Sequence, residues 1–334
     1  MTEEGAAFEP ADLDRELLGG ERRYTRREVS EQAGVAIARS TELWNALGFA
    51  DVGDDVRAFT DRDVWALRTV TALGDSGWLD EDLQVSMARA LGQSLARLAD
   101  WQLAAIGSMI DADTSPDQAM RRAEELVPIV EQLIGYVWRR HLAAAAGRAL
   151  AAGSEELAAG TLAVGFADLV GFTSLTREID EQQLGDLVER FESLASDIVA
   201  TSGGRVIKTI GDEVLFVADD VATAAEIGTR LAEELPKHDS VPDLRVGMAF
   251  GTVLSRLGDV YGEPVNLASR LTSIARPGAV LIDRGFAERL EGNPAWRLRR
   301  VPPRPVRGYA LLHPTRLRRA SPASGPSADV GSSG

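Results

Sequence analysis

Two hydrophobic periods divide the chain. Up to about residue 150, apolar positions recur every three to five residues: Leu83, Met87, Leu91, Leu95, Leu98 and Leu103, then Leu126, Ile129, Val130, Leu133, Val137 and Trp138. That is the period of amphipathic helices. From Leu162 the pattern changes to short apolar runs that alternate with helical stretches. The predicted order is strand 162–168, helix 174–200, strand 204–210, turn, strand 213–218, helix 220–235, strand 243–253, helix 263–275 and strand 279–282, then a strand pair near 296–301 and 306–312. Gly211-Asp212 lies between two β-rich runs and reads as a hairpin turn. The hairpin makes the sheet mixed, which suits an α+β ferredoxin-like sandwich better than a doubly wound sheet.

In the helical half, Thr25 offers an N-cap to a short helix that turns at Gly34, and a second helix follows from Ile37 to Leu47. Thr60 with Asp63 resembles a capping box that opens a third helix. Residues 24–73 thus form a helix-turn-helix pattern that resembles the DNA-binding domain of MerR-type regulators. Its reading helix carries one basic residue, Arg39, against Glu42. Phosphate contacts need several cations, so a scaffold that no longer holds DNA is the better expectation. For the apolar helices at 83–110, core packing is favoured over a lipid pocket. His141, near the junction, is expected to be solvated rather than a pH switch.

The expected organisation is an all-helical domain over 1–150, a linker at 151–160, the α+β domain at 161–318 and a disordered Ser-, Gly- and Pro-rich tail at 319–334. At 334 residues there is chain enough for two cores. No apolar run is long enough to span a membrane and no signal pattern opens the chain, so no membrane span is expected. Zero cysteines exclude disulfides and thiolate metal sites and fit a cytoplasmic location. The net charge of −15 argues against a nucleic-acid partner.

The candidate chemistry lies in the second half. Asp168 ends an apolar strand, and Gly171 and Thr173 follow at the start of a helix. Asp212 sits in the hairpin turn. Either aspartate alone reads as a turn or capping residue. Together, beside helix-terminal N–H groups at Gly171, Phe172 and Thr173, they suit divalent metal and polyphosphate. Lys208 precedes Asp212 by four residues, about 13 Å along an extended strand, on the same face. Asp259 falls in a further turn, and Asn266 and Arg270 share one face of the next helix. An amide and a guanidinium so placed can bind sugar and phosphate oxygens.

Three motifs, FADLVGFTSL, VIKTIGDEVLF and GDVYGEPVNLASRL, resemble in order and spacing those of the class III adenylyl cyclases, over about residues 160–312. The resemblance implies that Asp168 and Asp212, helped by the Leu169 carbonyl, bind two Mg²⁺ or Mn²⁺ ions. It implies that Lys208 and Asp259 read adenine, that Asn266 orients the ribose and that Arg270 stabilises charge on the phosphate. Guanylyl cyclases often carry Glu and Cys at the two base-reading positions, so ATP is the expected substrate. A triphosphate-gripping Lys of the family is not matched; Arg304 and Arg307 are the candidates, with Arg307 preferred. Members divide these residues between two subunits, which implies a homodimer. The helical half is similar, more faintly, to regulatory domains of soluble actinobacterial cyclases, some of which respond to protons or lipid. The competing reading is a nucleotide-sensing DNA-binding regulator with an inactive cyclase-like domain.

Overall fold

The computed structural model describes residues 10–108, 115–152, 160–238, 241–256, 258–306 and 308–320. The expected tail beyond residue 320, most of the expected linker and Arg307 lie outside the described residues. The chain divides into two compact units, residues 1–148 and 149–334.

The first unit is helical: α1 (Pro10–Leu18), α2 (Arg26–Ala33), α3 (Ile37–Ala46), α4 (Asp61–Asp75), α5 (Glu81–Ser108) and α6, which starts at Pro116 and runs to Ala152. Capping boxes at Thr25/Glu28 and Thr60/Asp63 start α2 and α4 by satisfying first-turn N–H groups. Gly34, left-handed at φ 71°, stops α2. Val29, Leu43, Trp44, Phe59, Val64 and Leu67 form the core. The periodic stripe on α5 departs from its expected role. Leu83, Leu91, Leu95 and Leu103 are exposed, as are Ile129, Leu133 and Trp138 on α6. The helical period is present, but no element of the single chain covers these faces among the described residues. His141 is exposed, as expected.

The second unit contains β1 (Thr161–Leu169), α7 (Phe172–Leu175), α8 (Glu181–Thr201), β2 (Arg205–Ile210), β3 (Glu213–Ala218) and α9 (Val221–Glu234). Then follow β4 (Leu244–Thr252), β5 (Leu254–Arg256), β6 (Asp259–Tyr261), α10 (Glu263–Ile274), β7 (Val280–Ile282) and α11 (Arg284–Leu290). The last elements are β8 (Trp296–Arg300), β9 (Arg304–Val306), β10 (Tyr309–Leu312) and β11 (Thr315–Arg319). Seven strands form a mixed sheet in the order β2-β3-β1-β4-β7-β11-β8, with β4 and β7 parallel and the other pairs antiparallel.

On one face, Ala163, Ala167, Val214, Phe216, Val246 and Met248 pack under α8, α9 and α11. On the other, Val164, Phe166, Leu215, Val217 and Ala249 meet Val260 of β6 and Ala268 of α10. Helix α10 lies directly on β4: a Cβ at Gly247 would meet the Thr272 nitrogen at 2.2 Å, so only glycine fits there. Thr272 Oγ1 also donates to the Phe166 carbonyl at 3.3 Å, anchoring α10 to β1.

Three expectations are corrected. The helix foreseen from 174 to 200 is two helices, because Asp180 caps a new start for α8 with its own box to Gln183. The predicted pairing of 296–301 with 306–312 does not form. Trp296–Arg300 pairs instead with β11, which carries sheet as far as Arg319, while 304–306 and 309–312 make a separate hairpin. Asp259 lies in strand β6 rather than in a turn.

Candidate active site

Asp168 is the penultimate residue of β1, and strand alternation points it to the α10 face, with Val164 and Phe166. It is opposite Glu213 on β3 and Arg245 on β4. Asp212 occupies the β2–β3 turn. Its carbonyl accepts from Leu169 N–H at 3.0 Å, which holds the turn against the end of β1. The Leu169 side chain is buried on the opposite face, under the helices.

Asp168 is 8% exposed, and its carboxylate accepts from Arg245 Nε at 2.5 Å. Burial raises the Asp168 pKa, Arg245 lowers it, and the nearby Asp212 carboxylate adds to the rise. Glu213 is pushed up to about 7, first by burial and then by the charges of Asp168 and Asp212. Three carboxylates thus share one guanidinium, and positive charge is short. Arg245 and Glu213 escaped sequence reasoning. The available signal was an arginine and a glutamate in strands otherwise apolar or small.

The fit of this cluster to metal follows from its charge and donor set. Among the described residues no group of three or more His, Asp or Glu is placed to hold an ion. Asp168 and Asp212 supply two carboxylates, which is what Mg²⁺ takes when water and phosphate oxygens fill its other positions. The surplus negative charge favours a cation there. The residues fit.

Beside the aspartates, Gly171 is left-handed at φ 77°, a conformation that favours glycine, and it turns the chain into the single-turn α7. The first N–H groups of that turn, at Phe172 and Thr173, have no intrahelical acceptor and remain available to an anion.

Lys208 pairs with Leu215 across the β2–β3 ladder, so it also faces the α10 side. The register shifts between Val206 and Lys208, where Ile207 is the extra residue of a bulge. Strand β2 ends at Ile210, so Lys208 is in the strand and Asp212 is in the turn beyond it. Lys208 Nζ donates to Asp259 Oδ2 on β6, and the pair is partly buried, 37% and 24% exposed. Asn266 and Arg270 stand one turn apart on α10, both exposed. Neither side chain has a hydrogen-bond or ion-pair partner among the described residues, which leaves their donors free for a ligand. Arg304 is exposed on β9.

At the reading helix of the first unit, Arg39 donates to Glu42 at 2.6 Å, to the Glu81 carbonyl at 3.0 Å and to Gln84 at 3.0 Å. Its side chain is 15% exposed. The single cation on that helix is engaged within the fold.

The family described as Adenylate and Guanylate cyclase catalytic domain matches residues 156–314. The chain is 46% identical to an adenylate cyclase of Streptomyces coelicolor, over 92% of this chain and 89% of that protein. It is 48% identical to an adenylate cyclase of Streptomyces griseus, over 83% of this chain and 71% of that protein. Among solved structures it is similar to the adenylyl cyclase CyaB from P. aeruginosa at 23% identity and a TM-score of 0.43, covering 48% of this chain and 95% of that one.

Proposed function

Because this chain belongs to the adenylate and guanylate cyclase family, we propose that it is an adenylate cyclase that converts ATP to 3′,5′-cyclic AMP and pyrophosphate. The observation that carries the reading is the sharing of one sheet face. The Asp168–Asp212 carboxylates, the Lys208–Asp259 pair and the free Asn266 and Arg270 donors all face the α10 side or stand on α10 itself.

Asp168, Asp212 and the Leu169 carbonyl would hold two Mg²⁺ or Mn²⁺ ions, which supply charge neutralisation and polarisation of the phosphate. Phe172 and Thr173 N–H groups receive the terminal phosphates, joined by Arg307 or Arg304. Lys208 donates to a ring nitrogen of adenine and Asp259 accepts from its 6-amino group; guanine inverts this pattern. Asn266 sets the ribose so that its 3′-oxygen lies in line with the α-phosphorus. That oxygen loses its proton to water or substrate and bonds to the α-phosphorus, and the bond to the bridging oxygen breaks to release pyrophosphate. Arg270 stabilises the charge that builds on the phosphate in the transition state. Positioning and electrostatics supply the acceleration.

Two such sites arise if two copies of the chain associate, each lending the acids of one site and the α10 residues of the other. The exposed apolar faces of α5 and α6 support association, since patches of that kind on a water-soluble surface mark partner contacts. The helical unit is assigned the regulatory role, with a proton or a lipid as the signal. No helix among the described residues is long and apolar enough to cross a membrane.

The test is incubation of the full chain with Mn²⁺ and either ATP or GTP, with the products separated by chromatography. Cyclic AMP in large excess over cyclic GMP is expected. Cyclic GMP in equal or greater yield would overturn the base-reading assignment.

A further inference from the structure

Residues 284–319 hold ten arginines against two acidic residues, in a chain whose net charge is −15. Their placement is not diffuse. Across the β8–β11 ladder, Arg299 lies directly opposite Arg316, and Arg297 opposite Arg318. The intervening Leu298 and Leu317 pack into the core beneath α8, α9 and α11, so the four arginines project from the other face of the sheet. They form a two-by-two array, about 5 Å across the strands and about 7 Å along them. Arg276, just past the end of α10, is the fifth member, since its charge acts on Arg316.

These five lie together without counter-charge. Several arginines nearby are matched: Arg319 with Glu226 and Glu233, Arg230 with Glu234, Arg284 with Glu288. Among the described residues none of the five has an ion pair or a side-chain hydrogen bond. Arg316 Nε is moreover buried without any partner. Its guanidinium pKa is pulled down, first by burial and then by Arg318, Arg299 and Arg276. Like charges directly opposite on a ladder destabilise it, and an unpaired buried donor costs stability as well. A chain rich in carboxylates has nonetheless set none of the described ones within ion-pair distance of these five.

We propose that this arginine array is a binding site for a compact polyphosphate anion, a chain of two or three phosphates in solution, separate from the nucleotide site around Asp168 and Lys208. Guanidinium forks bind phosphate oxygens bidentately, and adjacent forks can be bridged by linked phosphates. The buried Arg316 Nε selects a small oxyanion that can enter between side chains, which a flat lipid surface or a duplex backbone does not do. The overall negative charge adds to this selection, because an extended polyanion that overhangs the patch meets a repulsive surface. The site is also at the far end of the sheet from Lys208, since β8 and β2 are its two edges. The inference therefore stands or falls apart from the cyclase assignment.

The test is titration calorimetry of the full chain with inorganic tripolyphosphate in EDTA, repeated with ATP in EDTA to separate free from nucleotide-borne phosphates. Arg299→Gln and Arg318→Gln, both at exposed positions, are each expected to weaken tripolyphosphate binding about tenfold, the loss of one charge-assisted contact. Arg284→Gln, which removes an arginine already paired, and Arg270→Ala, at the nucleotide site, are expected to leave it unchanged. A second readout is thermal unfolding: the anion raises the melting temperature of the native chain and fails to raise that of Arg299→Gln. No binding by the native chain, or equal binding by all variants, would overturn the proposal. So would retention of anionic vesicles or duplex DNA that depends on Arg299 when tripolyphosphate binding does not.

Discussion

Lys208 and Asp259, 51 residues apart, are joined side chain to side chain across strands β2 and β6. The two groups assigned to read the base thus hold each other, which fixes their position and donor direction. Exchanging them for Lys208→Glu and Asp259→Cys together should invert the donor pattern. The expected outcome is a fall in the ATP:GTP ratio of kcat/KM of roughly 100-fold, from two hydrogen bonds of about 1–3 kcal/mol each. An unchanged ratio, measured by initial rates on both nucleotides, would remove the pair from base recognition.

Arg270 is exposed and, among the described residues, unpaired on a helix pinned to the sheet through Gly247 and Thr272. Its removal should therefore leave the fold intact. Arg270→Ala is expected to lower kcat by about 10²–10³-fold, the usual cost of losing one preorganised donor to transition-state charge, with little change in KM. A rise in KM at constant kcat would make it a ground-state binding residue instead.

Asp283 tests the account of the fold. It caps α11 through the N–H groups of Gly285 and Phe286 and also accepts from Phe250 of β4. Asp283→Ala should cost about 1–3 kcal/mol in urea unfolding, through lost capping and orphaned donors. Burial raises the Asp283 pKa against the lowering effect of these three N–H groups. A raised pKa gives stability that is present below the ordinary aspartate value and lost as pH rises through the folded value. The stability of the native chain relative to Asp283→Asn should accordingly decline from pH 4 to pH 7, and a gap that widens instead would contradict the burial assignment.

The proposed division of each site between two copies predicts complementation. Asp212→Ala should be inactive alone, and Arg270→Ala should keep only the residual rate given above. Co-expressed in one cell, they should form mixed dimers in which one site is intact and cyclase activity returns. Persistent inactivity of purified mixed dimers would place all the site residues within one chain.

Much of the second unit was legible in sequence because its signals are local. The Gly-Asp turn between β-rich runs announces the β2–β3 hairpin, and the apolar run before Asp168 announces β1. What escaped depends on distant register. Arg245 meets Asp168 only because β1 and β4 are neighbours, although the two residues are 77 apart. The bulge at Ile207, which sets the face that Lys208 takes, is likewise fixed by the partner strand. Strand β11 slots between β7 and β8, a choice that short Arg-rich segments do not encode in their own pattern. In the first unit the periodic stripe on α5 was visible, but a period does not say whether the same chain covers it.

The most direct measurement is phosphorus-31 NMR of ATP turnover by the full chain with Mg²⁺, followed in real time beside Asp212→Ala. The account predicts cyclic AMP and pyrophosphate rising one for one, and no turnover in the variant. Release of orthophosphate and ADP, or equal rates in the two proteins, would contradict it.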